Sequence, residues 1–429
     1  MFGFANFLLL ALFAAAVFDL IFALARGGGL RGALHGLWNT PHLLFGQQLA
    51  EWRLQLGRIL FAAGLAAYEI SVVFCNSMAR QNWAWVQGVM SPVLEWLAFL
   101  CFGAKILFGT RYTWRELLAG GALYFIARWV YFNSQNIWWI GIVVAVLAAK
   151  DVPLRHPLQV YFASGCASMA VVLALHFAGI VAPDLTSERM GALRGTYGYG
   201  HPNTFGGLVF GLVLAYALLR AQKVRWVDCL LVFAVGVFLL VGPASRSAAL
   251  CTLALAVGLV FCRLRAGHSV PRWWPGTCAG MVGLTAAVSY LLPLLVIKVG
   301  PWNNDIGPAW LAKLDSLLTC RISLTWMAYR LLDVKIAGQV FNWPTVDNSF
   351  AFALFQFGPV VAALLGILFA AALLGHAKQG RRVEVCCLFA MLAYAYMEVQ
   401  PFHLTTNPTA LLLCGAVFAQ TSARWQKIE

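Results

Sequence analysis

Long runs of almost unbroken apolar sequence recur along the chain, separated by short polar breaks. Continuous apolarity without period-two alternation predicts helices rather than strands, and runs of roughly 18–25 residues match a hydrocarbon core of ~30 Å. The pattern predicts thirteen spans, near residues 3–25, 58–76, 92–109, 117–133, 136–149, 158–182, 204–220, 227–242, 247–263, 275–298, 349–375, 385–400 and 407–421. Only helices and closed barrels satisfy their backbone groups in lipid. The expected fold is therefore an all-α polytopic membrane protein of about 12–14 transmembrane helices. The first span is read as a retained signal anchor, because no small-residue cleavage site precedes a soluble mature domain. The whole chain reads as one membrane domain, 1–429, with N-terminal helices over 1–157 and a core over 158–429.

Composition agrees with the pattern. The 429 residues are 61% hydrophobic and 11% charged, with mean hydropathy +0.77. A water-soluble domain of that make-up would expose apolar patches far beyond the few hundred Å² that solution tolerates. The 11 cysteines fall almost wholly inside the spans and show no CxxC spacing, so neither a disulfide framework nor a metal site is expected.

Charge orients the spans. Nineteen of the 30 basic residues fall in alternate loops, from Arg26 and Arg31 through Arg220, Arg263 and Arg381 to Arg424 and Lys427. By the positive-inside rule those loops are cytoplasmic, which puts the N-terminus outside and the C-terminus inside. The net charge of +14 is mostly this topology signal. It is not a nucleic-acid footprint, since no basic helix interleaved with aromatics appears in a soluble domain.

Nine basic residues go against the bias: Arg80, Arg189, Arg194, Arg246, Lys298, Lys313, Arg321, Arg330 and Lys335. Seven lie in three outer loops, 183–203, 243–247 and 299–348, and Lys298 borders the last of them. Contact with lipid phosphates explains such residues one at a time, but three loops sharing the anomaly point to an anionic ligand at the outer face.

Each loop brings candidate chemistry. In "RGTYGYGHPNTFGG", residues 194–207, Gly195, Gly198 and Gly200 allow positive φ and close approach of backbone to a ligand. Tight helix packing explains them equally well. Pro202 and Asn203 fit the launch of the following span, whose N-terminus carries a partial positive charge, and Arg194 adds a phosphate-binding fork. His201 reads either as a turn histidine or as a catalytic one. In "GPASRSA", residues 242–248, Arg246 stands at the membrane edge, either bound to headgroups or functional.

The 299–348 loop contains "LAKLDSLLTCRISLTWMAYRLLD", residues 311–333. Its apolar positions Leu314, Leu317, Leu318, Ile322 and Leu324 predict one amphipathic surface helix, with Arg321 on the ligand side or the wet face. Asp347 and Asn348 follow at the mouth of the next span, where Asp347 alone reads first as an N-cap. Glu398, near the end of a span, requires a partner at that depth, and the outer arginines supply one. Asp19, Glu69, Glu95 and Arg128 also lie within spans and have no assigned role.

The ordered segments "RGTYGYGHPNTFG", "SRSA", "LDSLLTCRISL" with "IAGQ" after it, "VDNSFAFALFQFG" and the late Glu398 resemble the Wzy-type polysaccharide polymerases, relatives of the O-antigen ligases. The resemblance covers roughly residues 160–410. It implies a GT-C-like fold with a large extracytoplasmic loop before the third-from-last helix. It implies a metal-independent enzyme, without cofactor, that works in the bacterial plasma membrane. Its donor and acceptor would be undecaprenyl-diphosphate-linked oligosaccharides, with a flippase and a chain-length regulator as pathway partners.

The ligases carry a histidine where this chain has Asp347, a departure that favours the polymerase. The site expected on this basis places Arg194, Arg246 and Arg321 on the diphosphate, with Asn203, Asn348 and Gly200 as further contacts. Asp347 is the first choice for activating the acceptor hydroxyl, with His201 and Glu398 as alternatives. A ligase-type transferase is the rival within this class. A lipid-linked oligosaccharide flippase is the rival outside it, although the chain shows no internal repeat of the transporter kind.

Overall fold

A computed structural model of the chain describes residues 2–25, 29–45, 51–181, 187–189, 192–296 and 307–418. Arg26, Lys298, Arg424 and Lys427, and parts of the 183–203 and 299–348 loops, lie outside those residues. The fold is mostly helical, at 77%. In order it runs α1 (Phe2–Ala25), α2 (Gly29–Asn39), α3 (Glu51–Cys75), α4 (Ala79–Asn82), α5 (Ser91–Phe108), α6 (Trp114–Ser134), α7 (Ile137–Ala148), α8 (Arg155–Phe177), α9 (Pro202–Leu219), α10 (Trp226–Val241), α11 (Arg246–Leu264), α12 (Trp274–Leu291), α13 (Ala309–Leu317), α14 (Arg321–Leu331), α15 (Ser349–Phe352), α16 (Pro359–Lys378), α17 (Arg382–Met397) and α18 (Cys414–Val417). Two short antiparallel pairings, β1 (His42–Leu43) with β2 (Arg111–Tyr112) and β3 (Ser187–Arg189) with β4 (Ala192–Arg194), are the strand pairs among the described residues.

Each of the thirteen expected spans overlaps a helical segment. Among the described residues eight helices are long and apolar enough to cross a membrane: α1, α3, α5 with the π turn before it, α8, α9, α11, α12 with the 3-10 turn after it, and α16. The helices α7, α10 and Pro408–Val417 are apolar but shorter. The protein is thus a multi-pass helical membrane protein. α11 shows the physical reason in one element. Its buried positions include Ala248, Cys251, Thr252, Leu255, Leu259 and Cys262, at helical spacing, while Leu250, Val257, Phe261 and Leu264 are exposed and apolar. A helix that is apolar on its outward face too belongs in lipid.

The described chain divides into two compact units. One comprises Met1–Arg128, Ile140–Leu208 and Ala410–Glu429; the other comprises Trp129–Trp139 and Val209–Thr409. The division is interleaved and does not follow the 157/158 boundary expected from the sequence. In the first unit α3 packs on α5 and α8. In the second, α11 packs between α10 and α17, and α12 packs on α16.

The second unit departs from the sequence reading at the 311–333 segment. In place of one amphipathic helix there are two, α13 and α14, broken where Thr319 and Cys320 both adopt left-handed backbone (φ 62° and 61°). The break turns Ile322 and Leu311 together onto Val296, with Leu314, Leu318 and Leu292 packed around them. That apolar face is spent on protein packing, and Leu317 alone of the expected stripe is strongly exposed.

Further on, two glycines bring backbone directly against backbone. Gly338 (φ +74°) is placed so that a Cβ would lie 2.0 Å from the Gln356 carbonyl oxygen, and Gly358 (φ +87°) so that one would lie 2.1 Å from that of Ile336. The segment after α14 is thereby clamped to the π turn Ala353–Phe357, and Gln339 N donates to Gln356 O (3.3 Å).

Gly358→Ala is expected to lower the thermal midpoint of the purified protein clearly, since strained backbone and a carbonyl clash together cost about 1–3 kcal/mol or more. Gly366→Ala in α16, where a Cβ meets open space, is expected to leave it unchanged. Equal midpoints for the two variants would remove the clamp.

Candidate functional site

The site grows from Asp315. This carboxylate, fully buried on α13, accepts from Ile322 N (2.7 Å) and Ser323 N (3.2 Å) through one oxygen and from Ser323 Oγ (2.8 Å) through the other. It therefore caps α14 from seven and eight residues upstream, while Cys320 N donates to the Asp315 carbonyl (2.8 Å). A side chain that satisfies the first N–H groups of a helix also fixes where the helix begins. Here the first residue is Arg321.

Arg321 is 8% exposed and almost fully used by the protein. Its Nη2 donates to Glu398 Oε1 (2.6 Å) and more weakly to Ser247 Oγ (3.4 Å). Nη1 donates to Leu318 O (2.9 Å), and Nε donates to Met397 O. Of the five guanidinium N–H groups, one on Nη1 remains outside these bonds. Arg321 thus supplies a fixed positive charge rather than an open two-pronged fork.

Glu398 follows the last turn of α17 and is 5% exposed. Besides Arg321, its Oε1 accepts from Ser247 Oγ (2.9 Å), and Ser349 Oγ donates to its backbone carbonyl. Four elements, α11, α14, α15 and α17, therefore meet on one buried ion pair. A buried pair contributes only when its remaining polar positions are also satisfied, and the Ser247 hydroxyl with the Leu318 and Met397 carbonyls serves that end.

Asp347 stands at the rim. Its Oδ2 is 4.0 Å from Arg321 Nε, and its side chain is 31% exposed. Charges at that distance interact by roughly 4 kcal/mol at an effective dielectric of about 20, less what solvent screens at a carboxylate this open. The helix cap first read onto Asp347 belongs to its neighbour. Asn348 Oδ1 accepts from Phe350 N (2.9 Å) and Ala351 N (3.1 Å), and its Nδ2 donates to Ser289 Oγ and Tyr396 O (both 3.1 Å). Both ends of the amide are engaged within the protein, so Asn348 is the helix cap of α15. Asp347 is left as the solvent-facing carboxylate of the cluster.

Arg246 is the exposed first residue of α11. The hydroxyl of the next residue, Ser247, rather than the Arg246 guanidinium, reaches Glu398. Arg246 accordingly keeps an outward-facing guanidinium one residue from the ion pair.

The remaining expected residues lie in the first unit and have their own geometry. Arg194, buried on β4, donates through Nη2 to Asn203 Oδ1 (3.0 Å). His201 Nδ1 accepts from Asn203 N (3.1 Å), so the histidine ring rather than Asn203 covers the start of α9. Among the three glycines expected to need positive φ only Gly198 does (φ +81°), beside Tyr197 (φ 52°). A Cβ at Gly198 would meet His176 Cβ at 3.0 Å, and its carbonyl accepts from Met78 N (2.8 Å). Close packing, not ligand approach, accounts for it. At Gly200 a Cβ would meet nothing within 4 Å.

Asp315, Ser247 and Ser349 were not singled out by sequence reasoning. Asp315 had a signal, as the one acid of α13, six residues before Arg321. The two serines had none, since each stands beside a residue with more conspicuous chemistry.

No family model matches this chain, and no curated protein or solved structure matches it.

Proposed function

We propose that this protein is a metal-independent membrane glycosyltransferase that polymerises undecaprenyl-diphosphate-linked oligosaccharide repeat units into a surface polysaccharide. It would act at the outer face of a bacterial plasma membrane, on a GT-C-like scaffold with the 299–348 loop over the site. The observation that carries the reading is the Arg321–Glu398 pair with Asp347 open at its rim. This supports a division of labour. Glu398 and Ser247 hold Arg321, whose charge faces the diphosphate as negative charge builds on the leaving group, and Arg246 adds the outward-facing guanidinium. Asp347 takes the proton of the attacking sugar hydroxyl as the new glycosidic bond forms. Glu398 is less accessible to a sugar hydroxyl, since it is buried and its Oε1 already accepts two hydrogen bonds.

Two tests follow from this reading. Purified protein mixed with one lipid-linked repeat unit and a chelator is expected to give a ladder of products; a single unextended band contradicts the polymerase. Asp347→Asn keeps the Asn348 cap and removes the base. It is expected to insert and express normally yet extend chains about 10²–10⁴-fold more slowly, whereas wild-type rate would take the role from Asp347. Orientation is tested separately, with single cysteines at residues 195 and 380 in a background lacking the native ones. Only the first is expected to react with an impermeant reagent added outside, and labelling of both would overturn the proposed orientation.

A further inference from the structure

α11 and α17 are antiparallel neighbours joined at both ends. At one end Ser247 meets Glu398. Farther along both helices, roughly 20 Å away, Cys262 Sγ lies 3.5 Å from Cys386 Sγ. We propose that Cys262 and Cys386 form a redox-active dithiol, a site of reversible modification in which a peroxide oxidises the pair to a disulfide that staples the two helices.

The packing prepares the contact. Gly258 lies one turn before Cys262 on the same face of α11, and a Cβ there would sit 3.1 Å from Cys386 Sγ and 3.3 Å from its Cβ. The absent side chain is the space Cys386 occupies. Cys386 is partly exposed while Cys387 beside it is fully buried. The pair lies near the polar ends of both helices, where Arg382 Nη1 donates to Arg265 O (2.6 Å), so a small polar oxidant has a short path to it. Cys251 and Cys278 are more buried than Cys262, while the exposed thiol, Cys320, lies in the segment between α13 and α14.

The chemistry balances. One thiolate sulfur attacks an oxygen of hydrogen peroxide, the O–O bond breaks and hydroxide leaves, giving a sulfenic acid. The second sulfur attacks that sulfur, and a second oxygen leaves as water. Two thiols and one peroxide become one disulfide and two waters, with the sulfurs oxidised and the peroxide reduced. The sulfurs close from 3.5 Å to about 2.05 Å, which side-chain rotation within the existing helix contact supplies. The staple would lock the far end of the helix pair whose near end carries Ser247 and Glu398. It stands independently of the proposed activity.

The experiment treats the purified full chain in detergent with hydrogen peroxide, quenches free thiols with a maleimide and maps non-reduced peptides by mass spectrometry. The expected product is a linked peptide pair containing Cys262 and Cys386, released by dithiothreitol. With Gly258→Val the yield at the same dose is expected to be about tenfold lower, because a side chain there moves Cys386 out of bonding range. Recovery of Cys262 and Cys386 on separate alkylated or over-oxidised peptides overturns the proposal. So does linkage of either to Cys387 or Cys278 in equal yield, and so does an undiminished yield in folded Gly258→Val protein.

Discussion

The second unit depends on one buried ion pair. Arg321 and Glu398 come from segments 77 residues apart, and neither charge would be tolerable at that burial alone, because an unpaired buried ion costs several kcal/mol. Their meeting decides much else. α14 must begin at Arg321, so the chain breaks at Thr319–Cys320 and Asp315 caps the new helix. α11 must start where Ser247 reaches Glu398, and α15 where Ser349 reaches its carbonyl. A single satisfied pair thus sets the register of four elements.

The same pair explains how the Arg321 charge is held inside the protein without being exposed. A guanidinium bound to a carboxylate, two backbone carbonyls and a hydroxyl is a fixed charge with little rotamer freedom left, and preorganised charge needs no rearrangement when a substrate develops charge of its own. The groups left facing outward are Asp347 and Arg246, one acid and one base. The π turn Ala353–Phe357 and the Gly338–Gly358 clamp lie just past Asp347 and fix the segment from its far side.

Much of this was legible in the sequence, and the failures have physical causes. The helices were readable because lipid imposes long apolar runs, and Glu398 was readable as a carboxylate that needed an arginine. The break after Leu318 was not, because left-handed backbone at Thr319 and Cys320 is held by distant contacts, the Arg321–Glu398 pair and the packing of Ile322 and Leu311 on Val296, rather than by residues that favour it. Asp347 and Asn348 are adjacent and chemically alike, so periodicity could not say which one caps α15. Ser247 and Arg246 posed the same problem in reverse, with the charged residue drawing the role its neighbour fills. The N-terminal and core groupings of the sequence, 1–157 and 158–429, are a division along the chain, whereas the compact units interleave because contacts return to segments distant in sequence.

The account stands or falls on whether Arg321 and Glu398 act as one unit. The most direct measurement is a double-mutant cycle on the thermal stability of purified protein, using Arg321→Gln, Glu398→Gln and the two together. Either single change leaves one buried charge without its partner and is predicted to lower the midpoint strongly, at a cost of about 3–5 kcal/mol. The double variant is predicted to be no less stable than the worse single one, because no orphaned charge remains. Strictly additive losses would show that the two residues do not depend on each other, and would contradict the account.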